Sequence, residues 1–418
     1  MLKKVTVILE ESFQGLSGFQ RLLKQEKGEW QVYLCKDFMK TTKNRREGDK
    51  LRKYPATGVI IFSVLCMVSI TFIHKSPTPE EYNFGKYFSK QPYLKQIGMP
   101  QSLDLPKNKI TVAVIDMGMD LSHPAYKDNL LESDFRGENA TYPEDEAIIA
   151  HGTAVASIIA AHGKEMTGVA PNVKILPVLI GLPIPKGYED IAKTYYKMKA
   201  EDLLKLSQNP VKLARFKKFG ELRKEIVLKN MAMAIKYASD HGAKVICISA
   251  SALNETKYIE DAVKYAYTKG VVIVAPTGNN ARNEIVYPAK FPEVIAVGGV
   301  NEKDEWWYEE KKLEGIPIPI KQGSNFGKGI DVVAPCCKIL HAVPYGGYSS
   351  EGCGTSLAAP QVAGLVALML TMKPNLGPTE VKRLLIKGSD ALGPTGWDEK
   401  YGYGRINVSN TLKLLNGG

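Results

Sequence analysis

The sequence predicts an α/β fold: a mostly parallel central sheet covered by helices in three layers, preceded by one transmembrane helix. Three observations carry this reading. Short, uncharged or nearly uncharged apolar runs recur at Lys109–Asp116, Val173–Ile180, Ala243–Ile248, Val271–Ala275 and Val294–Val297, as expected of strands buried on both faces. Helical patterning fills the intervals at 151–161, 190–207, 211–229, 230–241 and 257–268, and such alternation builds parallel sheets. Finally, Tyr54–Ile73 contains no charged residue, and twenty helical residues span about 30 Å, the thickness of a bilayer core.

Taken in order, residues 1–53 form a basic segment that opens on a short strand candidate, Val5–Leu9, and ends in Arg45, Arg46, Lys50, Arg52 and Lys53. This cluster outweighs the flank after the apolar run, so the N-terminus is expected in the cytoplasm and the remainder outside it, on a single-pass cell-membrane protein. A buried core helix and a cleaved signal peptide are the alternatives for 54–73. The long leading segment and the lack of an Ala-x-Ala-like site favour an uncleaved anchor. Residues 74–108 read as a linker and 109–415 as the main domain. Within it, Leu213, Phe216, Phe219, Leu222 and Ile226 mark one face of an amphipathic helix.

The formal net charge of +11 is local. Residues 1–56 carry 13 Lys and Arg against 7 Asp and Glu, and 186–229 carry 12 against 6; the rest is close to neutral. No zinc-finger spacing, RNA-binding aromatic motif or phosphate-binding glycine loop accompanies the charge, which argues against a nucleic-acid partner. Cys35, Cys66, Cys247, Cys336, Cys337 and Cys353 are too scattered for a disulfide scaffold and fit no structural zinc spacing. Cys247 reads as a core residue.

The chemistry is concentrated at strand ends and helix starts. Ser356, in Gly354–Pro360, precedes a run of small residues (Ala358, Ala359, Ala363, Gly364, Ala367) that lets a helix pack closely, with Pro360 expected in its first turn. The mouth of such a helix favours developing negative charge and suits a nucleophile, although a serine there also caps helices. Asp116 ends the first strong strand, His151 opens a small-residue helix, and Asn279 follows the strand 271–275. Each alone is a common cap or turn residue.

In the order Asp, His, Asn, Ser, these residues resemble the subtilisin-like serine proteases (subtilases). The resemblance runs from Tyr93–Gly98 to Gly402–Asn407 and includes Tyr287–Ala289, Val294–Gly298 and Asp331–Pro335. It implies a subtilisin-like peptidase domain over 109–415 and hydrolysis of a polypeptide bound in extended form. Ser356 would attack the carbonyl, His151 would carry the proton, and Asp116 would orient the imidazole. Asn279, with the Ser356 backbone N–H, would bind the oxyanion. Ser249, Ala250 and Ser251 would flank the substrate, with Thr277 and Gly278 on the wall of the primary pocket. A monomer is expected. A non-catalytic binding module on the same scaffold is the rival, and the retention of all four residues argues against it.

Departures from the family pattern shape further expectations. Ser249-Ala250-Ser251 stands for Ser-Leu-Gly, and Val286 stands where a glycine often opens the pocket floor, which predicts a shallow pocket for small residues. A basic insert occupies about 184–229. Ala125 replaces a calcium-binding Asp, and the loop His162–Thr167 is short, so neither a metal nor another cofactor is expected. Only about 35 residues separate the anchor from Lys109, too few for the family's usual propeptide. By their family positions, Cys353 could bond Cys336 or Cys337; free buried thiols are the alternative.

Overall fold

The computed structural model describes residues 80–106, 109–141, 146–195, 206, 209–250, 256–311, 320–394 and 396–415, with two strands at Leu23–Glu26 and Glu29–Val32. Those two strands pair antiparallel, Leu23 opposite Val32. The expected strand Val5–Leu9 and the expected anchor 54–73 lie outside the described residues.

Six strands make the central sheet: β1 (Thr111–Asp116), β2 (Lys174–Leu179), β3 (Val245–Ile248), β4 (Val272–Pro276), β5 (Val294–Val300) and β6 (Val332–Pro335). They lie in the order β6–β5–β4–β3–β1–β2, and every pairing is parallel. The order reverses between β1 and β3, and the crevice beyond the carboxyl ends at such a point is where ligands bind in α/β sheets.

Side-chain alternation sends the strands' residues to two cores. Val112, Val114, Val245, Cys247, Val272 and Val274 face one side. Ala113, Ile115, Ile246, Ile248, Ile273 and Ala275 face the other. The first side is covered by α1 (Glu146–Ala160) and by α4 (Thr355–Met372). The second is covered by α2 (Pro210–Asp240) and α3 (Lys257–Thr268). All these strands are buried on both faces, which explains their unbroken apolar sequence.

Two boundaries differ from the sequence reading. Helix α1 begins at Glu146, five residues before the expected start at His151. The expected helices 211–229 and 230–241 are one continuous helix, α2, capped by the Asn209 side chain accepting from the Lys212 N–H (3.0 Å). Its first half buries Phe219 against Ile191 and Ala192; its second half lays Met231, Ala234, Ile235 and Ala238 on the sheet. The part of the basic insert from Pro210 to Lys229 is thus the leading half of a helix whose second half covers the sheet. Of the expected helix 190–207, Glu189–Tyr195 is helical, and 196–205 lie outside the described residues.

Among the described residues, Thr355–Met372 is the one helix long and apolar enough to cross a membrane, but 89 % of it is buried within the domain. It is a core helix, and its small residues explain how. A Cβ at Gly364 would sit 2.7 Å from Val169 Cβ, so α4 approaches the Gly168–Ala170 turn more closely than any side chain permits.

Gly364→Ala is therefore expected to destabilise the domain by about 1–3 kcal/mol through overpacking. Gly220 lies inside α2 with nothing within 4 Å of an added Cβ, and Gly220→Ala is expected to stabilise by about 0.5–1 kcal/mol. Urea unfolding of the two variants checks the opposite signs.

Candidate active site

Asp116, the last residue of β1, is 2 % exposed. Its Oδ1 accepts from the Met117 N–H (2.8 Å) and its Oδ2 faces His151 Nδ1 at 2.7 Å. Glycine allows this approach: a Cβ on Gly152 would lie 2.2 Å from the Gly118 carbonyl oxygen and 3.1 Å from Asp116 Cβ. His151 sits in the second turn of α1 rather than at its mouth, with 42 % of its side chain exposed. The Asp116 charge is the main cause holding the imidazole above its ordinary pKa; desolvation opposes it and the hydrogen bond adds to it. The Asp116 carboxylate also selects the Nδ1–H tautomer, which leaves Nε2 as the basic nitrogen. A raised histidine contributes stability at pH below the ordinary histidine range, and this is lost as pH rises through the folded-state value.

Ser356 is the second residue of α4, behind Gly354 at the N-cap, which has no side chain to cap with. The free N–H groups and dipole of this buried helix end therefore face the cleft. Pro360 lies in the second turn, one turn later than expected, and has no N–H to offer the Ser356 carbonyl four residues back. A Cβ built on Gly354 would stand 3.3 Å from Ser356 Oγ and 3.6 Å from Asn279 Nδ2. The missing side chain thus leaves a space bounded by a hydroxyl and an amide donor, the requirement for an oxyanion site.

Thr355 orients that donor. Its N–H and Oγ1–H both donate to Asn279 Oδ1, at 2.9 and 2.7 Å, while its Oγ1 accepts from the Gly278 N–H at 3.3 Å. With Oδ1 so engaged, Nδ2 is the end of the amide turned to the gap. Asn325 props the same loop: its Oδ1 accepts from the N–H groups of Asn280 (2.9 Å) and Arg282 (3.2 Å). Its Nδ2 would be 2.5 Å from a Cβ on Gly278, which has φ +106°. Sequence reasoning missed both residues. Thr355, a hydroxyl directly before Ser356, offered a local signal; Asn325 offered none.

His151, Ser356, Asn279, Gly278 and Ser249 line one cleft of about 270 Å3, with Val286 also on its wall. Thr277 is not on the cleft surface: it is fully buried and donates to the Val297 and Asn325 carbonyls from its N–H (3.0 Å) and Oγ1 (3.1 Å). Ala250 packs against the core on the α2–α3 face, and Ser251 lies outside the described residues.

The residues at the expected calcium position do not fit a cation. Ala125 is 1 % exposed, its N–H donates to His123 Nδ1 (3.1 Å) and its carbonyl accepts from the His162 N–H (2.7 Å). The loop carbonyls of Gly163 and Thr167 are taken by Tyr87 Oη (2.5 Å) and Gln91 Nε2 (2.8 Å). Among the cysteines, Cys337 bonds Cys353 across an isolated antiparallel bridge, and Cys336 and Cys247 are buried free thiols.

A model of the subtilase family matches residues 107–404. The chain is 32 % identical over 304 residues to a thermophilic serine proteinase of Bacillus sp. (strain AK1), across 72 % of this chain and 61 % of that protein. It is 27 % identical to thermitase of Thermoactinomyces vulgaris, across 78 % of this chain and 98 % of that one. The crystal structure of fervidolysin from Fervidobacterium pennivorans, a keratinolytic enzyme related to subtilisin, superposes with a TM-score of 0.54 at 26 % identity, over 78 % of this chain and 46 % of that one. The chain thus spans about three fifths of the AK1 proteinase and under half of fervidolysin. With the subtilisin-like α/β architecture and the family model covering most of its length, the chain belongs to the subtilase family of serine-type endopeptidases.

Proposed function

We propose that this chain is a membrane-tethered serine endopeptidase that hydrolyses polypeptides bound in extended form. One observation carries the catalytic reading: a buried carboxylate at a strand end holds His151 by Nδ1 in the cleft that Ser356 and Asn279 also line. His151 Nε2 takes the proton of Ser356 Oγ as the hydroxyl attacks the scissile carbonyl. Negative charge then develops on the carbonyl oxygen, over Gly354 and between Asn279 Nδ2 and the α4 N-terminus. The imidazolium, stabilised by Asp116, returns the proton to the leaving amine, and a water repeats the cycle on the acyl-enzyme. Hydrolysis of an unfolded protein by the full-length chain, abolished in Ser356→Ala, tests this. Equal hydrolysis by both proteins would sink it.

The tether rests on the uncharged run 54–73 and the basic cluster before it, with the catalytic domain outside the cytoplasm and the protein a monomer. No metal enters the mechanism. Chelation is expected to leave the melting temperature unchanged; a fall of several degrees contradicts this.

Activity requires neutral His151, so the acid limb of kcat/KM is expected above about 6.5, the ordinary histidine value. In Ser356→Ala protein, NMR titration should place the imidazole above that value, and adding Asp116→Asn should lower it, because desolvation then acts unopposed. An unmoved titration would remove Asp116 from its role.

Val286 narrows the cleft: its Cγ1 stands 3.2 Å from the site of a Gly278 Cβ. Small residues are expected before the cut, and Val286→Gly should extend cleavage in a peptide library to larger ones. A wild-type preference for large aromatic or basic residues contradicts the narrow pocket.

A further inference from the structure

Packing fixes α4 along its axis, but the segment that leads into it, residues 350–354, is held at few points. Gly352 (φ +84°, open space around an added Cβ) and Gly354 flank Cys353, so Cys353 supplies the only side chain between Glu351 and Thr355. That side chain is bonded to Cys337. The two residues face each other as an antiparallel bridge, and the adjacent Gly354 N–H donates to the Cys336 carbonyl (3.0 Å). Cys336 in turn packs against β5, where a Cβ on Gly299 would meet its Sγ at 2.6 Å. The covalent link therefore fastens the residues just before α4 to the segment that leaves β6. Ser356 Oγ, its N–H and the gap over Gly354 all lie within three residues of it.

The bond also has access and an alternative. Cys353 is half-buried, and both sulfurs' residues line a cavity of about 530 Å3 walled by Trp307, Tyr308, Glu309 and Ser350–Gly352. Cys353 Sγ lies 3.3 Å from Glu309 Oε1, so a thiol formed there has an acceptor already in place, and Trp307 Nε1 donates to the same oxygen (3.0 Å) and holds it there. The free cysteines among the described residues, Cys336 and Cys247, are poor internal attackers, because burial raises both thiols. Cys336 Sγ is 4.0 Å from Cys337 Sγ, but burial raises its thiol, so little thiolate is present. Among the described residues no reactive thiol stands ready to exchange, and the cavity gives an outside thiol its route to the bond.

We propose that the Cys337–Cys353 disulfide is a positioning bond for the nucleophile, and that its two-electron reduction by a small dithiol reversibly slows attack by Ser356. In that step the dithiol's two sulfurs join as its own disulfide, and its two protons and two electrons pass to Cys337 and Cys353 as thiols. Cys353 then turns to Glu309, and the Gly352–Gly354 segment is left on the Gly354–Cys336 hydrogen bond. Peptide binding in the cleft beside Ser249 and Gly278 is untouched, so the effect falls on kcat.

The inference rests on Ser356 being the nucleophile, and the test separates the two claims. The full-length protein is reduced with dithiothreitol, opening of the bond is verified by thiol counting, and peptide kinetics and fluorophosphonate labelling are followed below the melting temperature of the reduced form. We expect kcat and the labelling rate to fall about ten- to a hundredfold with KM unchanged, since a displacement near 1 Å costs up to that much. Reoxidation should restore both rates. Cys353→Ser should show the same loss and no response to dithiol; Cys336→Ala should keep the wild-type rate and response. Full labelling speed in the reduced protein overturns the proposal, as does a loss of rate that tracks loss of circular dichroism. Failure of the oxidised protein to label at Ser356 overturns the reading of the nucleophile itself.

Discussion

The close seating of Thr355–Met372 inside the domain is the constraint on which the site depends. Ala358, Ala359, Ala363 and Ala367 are fully buried, and Gly364, buried beside them, leaves no room for a methyl group next to Val169. A helix held this tightly has one position along its axis. Its N-terminus is therefore fixed against the carboxyl ends of β4 and β6, and Gln361 adds a tie by donating from Nε2 to the Pro335 carbonyl (2.6 Å). Ser356 owes its place along the helix axis to this packing, while the Cys337–Cys353 bond fastens the segment that leads into it; Asn279 is placed from Ser356's neighbour through Thr355. The nucleophile and the oxyanion donor are thus positioned by one rigid element.

The second half of the site comes from the other end of the same sheet region. Asp116 is carried on β1 and His151 on α1, and Gly152 brings the two within hydrogen-bonding distance. Because the strand order reverses between β1 and β3, the loops after these strands diverge and open the cleft between them. Packing on the two faces of the sheet and hydrogen bonding at its carboxyl edge are separate tasks. The first uses apolar alternation; the second uses a few buried polar groups, each with its partners supplied.

Much of this was legible from local sequence. The five strand candidates correspond to β1–β5 within two or three residues, because a strand buried on both faces advertises itself as an uncharged run. Asp116, His151, Asn279 and Ser356 stood out because each borders such a run or a small-residue helix. Other features depend on distant residues. Thr355 and Asn279 are 76 positions apart, and Asn325 acts on a loop 45 positions away. The choice between Cys336 and Cys337 rests on strand register, which places Cys337 opposite Cys353. Helix α2 reads as two helices because its buried face changes partner near residue 229, from Ile191 and Ala192 to the sheet. Helix α1 starts early because Glu146–Ala150 precedes the small-residue pattern that marked its start.

In the proposed reaction Ser356 and Asn279 act on one substrate carbonyl across the space over Gly354. A crystal structure of the full-length protein after reaction with a peptidyl phosphonate tests this most directly. Phosphorus should be bonded to Ser356 Oγ, with the phosphoryl oxygen accepting from Asn279 Nδ2 and the Ser356 N–H, and His151 Nε2 on the opposite side of the adduct. An adduct on another residue, or a phosphoryl oxygen turned away from Asn279, would contradict it.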